Sequence, residues 1–309
     1  MDAARRNTLK SLAALGLAAA SARAGAQATD PLIMRPLASR GGTPAEQLPV
    51  IGLGTWQTFD VGADAAARAT LGEVLQLFAG AGGRVVDSSP MYGSSEAVTG
   101  DLASALGLSA KLFYATKVWT SGREEGVRQM EQSFRRLRVS RMDLMQVHNL
   151  VDVAVHTKTL QDWKARGRVR YTGITHYTRS AYDEVERWLK TGDYDFLQIN
   201  YSLAERESQA RLLPLARENN VAVIVNRPFA EGALFRQARG KPLPEWASEF
   251  GIASWAQFFL KWIVSHPAVS CAIPGTGKLE HMQDNLAAGR GGLPDAAARA
   301  RMTRYFDSL

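Results

Sequence analysis

The chain has 309 residues, 46% hydrophobic, 22% charged and 8% aromatic, which excludes a disordered chain and suffices for one large α/β domain or two ordinary ones. The formal charge is +7, but residues 1–26 alone carry a net +3, and the remaining +4 is too mild to point to nucleic acid. A single cysteine, Cys271, lies in an apolar run; it excludes an intrachain disulfide and reads as a buried, inert thiol.

Arg5-Arg6 precede a polar spacer, Leu12 to Ala20 form a modest apolar run, and Ala24-Gly25-Ala26 supply small residues of the kind a signal peptidase cleaves after. Basic, apolar and small-residue regions in that order predict an export signal over 1–26, and the apolar run is too short to span a bilayer. The paired arginines with Leu9 and Lys10 resemble the twin-arginine signal of bacteria. The expectation is an exported, periplasmic protein that meets the twin-arginine machinery and has no stable membrane span in its mature form. Residues 27–47 read as a linker or a small hairpin, and 48–309 as one domain.

From residue 48 strands and helices alternate. Val50–Thr55 reads as a strand and Ala65–Phe78 as a helix, with Leu71, Val74, Leu75 and Phe78 on one face. Val85–Asp87 is the next strand, bounded by Gly82-Gly83 and Ser88-Ser89-Pro90, with a helix near Ala97–Leu106. Leu112–Val118 is the third; its helix carries Val127, Met130, Phe134 and Leu137. Asp143–His148, Val169–Thr175, Phe196–Tyr201 and Val221–Asn226 follow as strands, with helices near Val155–Ala165, Arg179–Leu189 and Glu205–Glu218 between them. A longer connection leads to a helix over Ser254–Val264, an eighth strand over Val269–Ile273, and closing helices near Leu279–Ala288 and Pro294–Phe306. Eight such units predict a (β/α)8 TIM barrel rather than an open doubly wound sheet. Trp255, Phe258, Phe259, Trp262 and Ile263 form a helical stripe that reads as core, and Arg135, Arg136, Arg138 and Arg141 as a solvated face.

In such a barrel the carboxyl ends of the strands share one face. They would carry Thr55-Trp56, Asp87, Lys117, His148, Thr175-His176, Gln198, Asn226-Arg227 and Gly275-Thr276-Gly277. Taken alone, Asp87 and Tyr92 read as a helix cap and a packed loop aromatic, and a lysine ending an apolar strand as one half of a structural ion pair with Asp87. Together Asp87, Tyr92, Lys117 and His148 can protonate an oxygen: an ammonium beside a phenol lowers its pKa, and a histidine positions a carbonyl.

Gly52-Leu53-Gly54-Thr55-Trp56, Asp87 with Tyr92-Gly93, Ala115-Thr116-Lys117-Val118-Trp119, Asp143 to Asn149 and Ile273-Pro274-Gly275-Thr276, in this order, resemble the aldo/keto reductase family. The resemblance runs from about Leu48 to Asn285. It implies a (β/α)8 barrel that binds NADPH and reduces small carbonyl compounds, with a catalytic tetrad of Asp87, Tyr92, Lys117 and His148 and no metal. It further implies cofactor contacts from Gly54, Thr55, Trp56, Thr175, His176, Gln198, Pro228 and Phe229. The turn and helix after the eighth strand would add Gly275, Thr276, Lys278, His281, Asp284 and Asn285. Three departures stand out: Thr175-His176 replaces the usual Ser-Asn, His281 replaces a common Arg, and Asn226 falls where many members have a ring on the nicotinamide. Trp56, Met91 and Trp119 would line an open, permissive substrate mouth. Two alternatives use the same residues: a cofactor-binding redox-sensing or partner-binding module with little turnover, and a Schiff-base lyase using Lys117.

Overall fold

The structure is a computed structural model that describes residues 30–37 and 46–309. The export signal read over 1–26 lies outside the described residues. A short hairpin comes first, β1 (Met34–Pro36) antiparallel to β2 (Gln47–Pro49). Eight parallel strands follow: β3 (Leu53–Gly54), β4 (Val85–Asp87), β5 (Phe113–Val118), β6 (Met142–His148), β7 (Val169–Thr175), β8 (Phe196–Asn200), β9 (Ala222–Asn226) and β10 (Cys271–Ala272). They are hydrogen-bonded in chain order, and the bridges Ile51–Ala272 and Gly54–Gly275 bring the last strand back to the first. The protein is a (β/α)8 barrel.

Strand periodicity sorts the side chains. Val85, Phe113, Ala115, Leu144, Phe196, Ala222, Ile224, Cys271 and Ile273 form an interior cluster, which Leu37 and Leu48 of the hairpin join at the amino end of the strands. Residues one step away, among them Val86, Tyr114, Met145, Ile174, Leu197 and Val223, join the outer core beneath the helices. Counting on by two from the interior set gives Asp87, Lys117, Gln146, His148, Gln198, Asn200 and Asn226. The polar residues therefore stand on the inward register at the carboxyl end.

The helices form the outer ring: α1 (Ala65–Gly80), α2 (Ser95–Ala105), α3 (Arg123–Leu137), α4 (Val153–Ala165), α5 (Tyr182–Leu189), α6 (Leu212–Glu218), α7 (Ala233–Gln237), α8 (Trp255–Val264), α9 (Leu279–Ala287) and α10 (Ala296–Asp307). Three begin at an aspartate or serine that caps them: Asp64 accepts from Ala66 and Ala67 N–H, Ser254 from Gln257, and Asp295 from Ala298. In α8, Phe258, Phe259, Trp262 and Ile263 are buried, so that stripe is core.

The structure differs from the sequence reading at several ends. The first and last barrel strands are two residues each, because the chain crosses the seam on glycines. A Cβ on Gly54 would lie 2.8 Å from Ile273 O, and one on Gly52 2.9 Å from Val85 O. The helix expected over 205–218 splits into a 3-10 turn, Glu207–Ala210, and α6. Pro214 explains the break: it has no N–H, and its ring collides with the carbonyl four residues back, at Ala210. The connection after β9 holds α7 and a 3-10 segment, Glu245–Phe250, which periodicity did not reveal.

Candidate active site

At the carboxyl end of the barrel the side chains enclose a cavity of about 570 Å³. Asp87, Lys117 and His148 end adjacent stretches of β4, β5 and β6, and Tyr92 sits on the loop after β4; all four line this cavity. Lys117 Nζ donates to Asp87 Oδ2 at 2.7 Å and to Ser88 O at 2.6 Å, with both side chains almost wholly buried. The same ammonium lies 5.1 Å from the Tyr92 ring centroid, close enough for its charge to act on the phenol. The Tyr92 and His148 rings meet edge-on with centroids 6.1 Å apart.

Burial works against the Lys117 charge, but the Asp87 carboxylate and Tyr92 oxygen outweigh it and hold the ammonium above its ordinary pKa. Burial raises the Asp87 carboxyl, and Lys117 with the amides of Gln198 and Gln146 counters that rise. Tyr92 departs from the sequence expectation of a lowered pKa. Burial of the phenol raises it, Lys117 pulls down through charge and hydrogen bond, and the sum lies above the ordinary value. His148 is driven down to about 2, by burial first and then by the charges of Lys117 and His176, so it is a neutral imidazole at physiological pH.

A matching family model, described as the Aldo/keto reductase family, covers residues 50–300. Methylglyoxal reductase YeaE of Escherichia coli (strain K12) is 31% identical over 252 residues, 78% of this chain and 85% of its own length. The chain belongs to the aldo/keto reductase family. It is an NAD(P)H-dependent oxidoreductase of that type. Among solved structures, an aldo/keto reductase from Klebsiella pneumoniae in complex with NADP and acetate superposes with a TM-score of 0.72 at 26% identity, covering 84% of this chain and 92% of that one. A second, from the same organism in complex with NADPH, has the same TM-score and identity and covers 90% of this chain and 95% of its own.

The remaining residues that the family resemblance singled out divide into two groups. Gly54, Thr55, Trp56, Thr175, Gln198, Pro228, Phe229 and Gly275 line the cavity, as do Met91 and Trp119. His176, Thr276, Lys278, His281, Asp284 and Asn285 do not; apart from His176, they lie past Gly275, on the turn and on α9. Several side chains are already engaged. Thr55 Oγ1 donates to Asp87 O at 3.0 Å and lies 2.9 Å from Ser88 Oγ. His176 Nδ1 accepts from the backbone N–H of Tyr177 and Thr178, which turns the ring onto its own loop. Asp284 accepts from Ser254 Oγ and Gln257 Nε2, both at 2.6 Å, tying α9 to the first turn of α8. Lys278 and His281 are exposed.

Sequence reading missed Gln146, whose amide donates to Gln198 Oε1 at 2.8 Å and reaches Asp87 Oδ1 at 3.5 Å. Its signal was present, since it stands two residues before His148 on the same face of β6. Tyr177 and Phe235 also line the cavity and are exposed; Tyr177 sits on the loop after β7 and Phe235 on the five-residue α7, too short for periodicity to mark it. Arg227, which sequence left undecided, pairs with Glu205 at 3.7 Å and Glu231 at 3.1 Å. The residues fit a dinucleotide. Asn149 Oδ1, Asn226 Oδ1 and Arg227 Nε are buried without a hydrogen-bond partner among the described residues, all on cavity-lining residues. A carboxamide and a phosphate are groups that would satisfy such atoms.

Proposed function

We propose that this enzyme reduces small aldehydes and ketones to alcohols using NADPH, with Tyr92 as proton donor. The observation that carries this is the buried Asp87–Lys117–Tyr92 relay standing beside a neutral His148 at one cavity wall. Support also comes from a relative named methylglyoxal reductase and neighbours in complex with NADP or NADPH. Thr175, Gln198, Asn149 and Asn226 would hold the nicotinamide end, with Gly54, Thr55, Trp56, Pro228 and Phe229 around it. Gly275, Thr276, Lys278, His281, Asp284 and Asn285 would form the adenosine end, where the exposed Lys278 favours a 2′-phosphate by charge. Bound there, NADPH supplies hydride to the carbonyl carbon.

The protein's own residues do the rest. Burial keeps the Tyr92 proton in place until the carbonyl oxygen gains charge, and Tyr92 then donates it. The resulting phenolate faces the Lys117 ammonium, which Asp87 holds in position. His148, uncharged, orients the carbonyl. Trp56, Met91 and Trp119 stay 45%, 42% and 41% exposed at the mouth and would contact the substrate's apolar part. A lyase acting through Lys117 is disfavoured, because its buried ion pair with Asp87 holds it as an ammonium, which has no lone pair with which to attack a carbonyl. Tyr92→Phe is expected to lower kcat with an aldehyde by at least about 10²-fold while leaving the NADPH Kd, read by fluorescence quenching, within about twofold. Unchanged kcat would refute the role of Tyr92.

We also propose that residues 1–26 direct the folded protein through the twin-arginine machinery to the periplasm, on the strength of the arginine pair and the regions after it. Cell fractionation should find the protein outside the cytoplasm and, after Arg5→Lys with Arg6→Lys, inside it. Cytoplasmic retention of the unaltered chain would defeat the proposal.

A further inference from the structure

His148 has two ring nitrogens, and only one tautomer can donate a hydrogen bond from the nitrogen that faces a substrate. The structure contains a group able to choose between them. Ser89, buried with none of its surface exposed, places Oγ 3.1 Å from His148 Nδ1. That is its hydroxyl's sole hydrogen-bond partner among the described residues. If Nδ1 carried the proton, Ser89 Oγ would accept it, and the serine's own O–H would be left in a dry interior with nothing to donate to. If Ser89 donates, its hydrogen is paired, Nδ1 accepts, and the ring's hydrogen must sit on Nε2. Leaving a buried donor unpaired costs more than a hydrogen bond gains.

We propose that Ser89 is a positioning residue that holds His148 as the Nε2–H tautomer, so that this N–H can donate to the substrate carbonyl. The inference rests on the carbonyl-orienting role given to His148 above. Ser89 is well placed for the task because its backbone also braces the proton donor: Ser89 O accepts from Tyr92 N–H at 3.0 Å. One residue thus connects through its hydroxyl to His148 and through its carbonyl to Tyr92. A side chain ending in Cβ at this position would keep the second contact and lose the first. The neutrality of the ring agrees with this, since an imidazolium would have to donate from both nitrogens and Ser89 would then turn its hydrogen away.

The test has two arms. Ring-15N histidine NMR of the enzyme without substrate, with the His148 signal identified by its loss in His148→Gln, should show Nε2 protonated and Nδ1 bare. Ser89→Ala should move that pattern toward a mixture of tautomers, and Ser89→Thr should restore it. In the second arm, Ser89→Ala should lower kcat for an aldehyde by about tenfold, a part of the ~10²–10³ that an oxyanion donor is worth. The NADPH Kd should not change, and Ser89→Thr should recover kcat. An Nδ1–H pattern in the unaltered enzyme overturns the tautomer assignment, and an unchanged pattern in Ser89→Ala overturns the control of that tautomer by Ser89. The expected NMR change with unchanged kcat overturns the link to the carbonyl, and so separates the failure of His148's role from that of the Ser89–His148 bond.

Discussion

Lys117 shows how strongly single residues are constrained here. A lysine with none of its side chain exposed is tolerated because the Asp87 carboxylate and Ser88 O accept from its ammonium. Removing one member of a buried pair strands the other, at about 3–5 kcal/mol. Lys117→Met should therefore shift urea unfolding by about that much and abolish turnover. Lys117→Met with Asp87→Asn should recover most of the stability and none of the activity, as read by urea titration alongside an aldehyde assay. If the double variant is no more stable than the single one, the stranded carboxylate is not the cause. The Asp87–Lys117 pair was legible in sequence because a lysine ending an apolar strand needs a counter-charge on its neighbour. The direction of the Tyr92 shift was not, because burial depends on how far the loop after β4 sinks toward Lys117 and His148.

Among the elements, the seam between β3 and β10 forms one edge of the site. Gly54 approaches Ile273 O so closely that a methyl group would stand 2.8 Å from it. The neighbouring bridge Gly54–Gly275 joins two cavity-lining positions. Gly54→Ala should lower stability by about 1–3 kcal/mol and raise the KM for NADPH more than that for the aldehyde, because both sides of the seam would hold cofactor. Steady-state kinetics and a melting curve together check this; unchanged values in both would show that the seam yields freely. The glycines were visible as part of a motif, but that they shorten both strands to two residues follows from the backbones' closeness. Pro214 could have been used to predict the interruption before α6, since its clash with the preceding turn is local.

At the scale of the molecule, three histidines are kept neutral by their surroundings. Burial, followed by the charges of Lys117 and His176, takes His148 to about 2. Burial, then Arg299 and Arg217, takes His266 to about 4, and His176 is lowered chiefly by burial. His176 and His266 use Nδ1 to accept backbone N–H groups, a role lost on protonation. Each folded pKa lies below the unfolded value near 6.5, so below that pH the unfolded chain binds protons first. This contribution to stability is complete above about pH 6.5 and is lost as pH falls toward each folded value. The melting temperature should drop by a few degrees between pH 6.5 and 4.5, and His266→Gln should flatten that slope. An equal slope in the variant would show that His266 does not contribute.

The sequence by itself determined the order of strands and helices, the place of Asp87, Lys117 and His148 at the carboxyl ends of neighbouring strands, and membership in a family whose motifs run through most of the chain. Those properties are local or periodic: every second residue of a strand faces the same way, and breakers mark where a strand leaves for its loop. Tertiary structure alone decided what each inward group meets. Gln146 and Gln198 join the Asp87 carboxylate, His176 folds onto its own loop, Asp284 turns to Ser254 and Gln257, and Ser89 reaches His148 across 59 residues of chain. Hydrogen-bond partners and burial depend on closing the barrel, which brings strand ends distant in the chain within a few ångströms of one another.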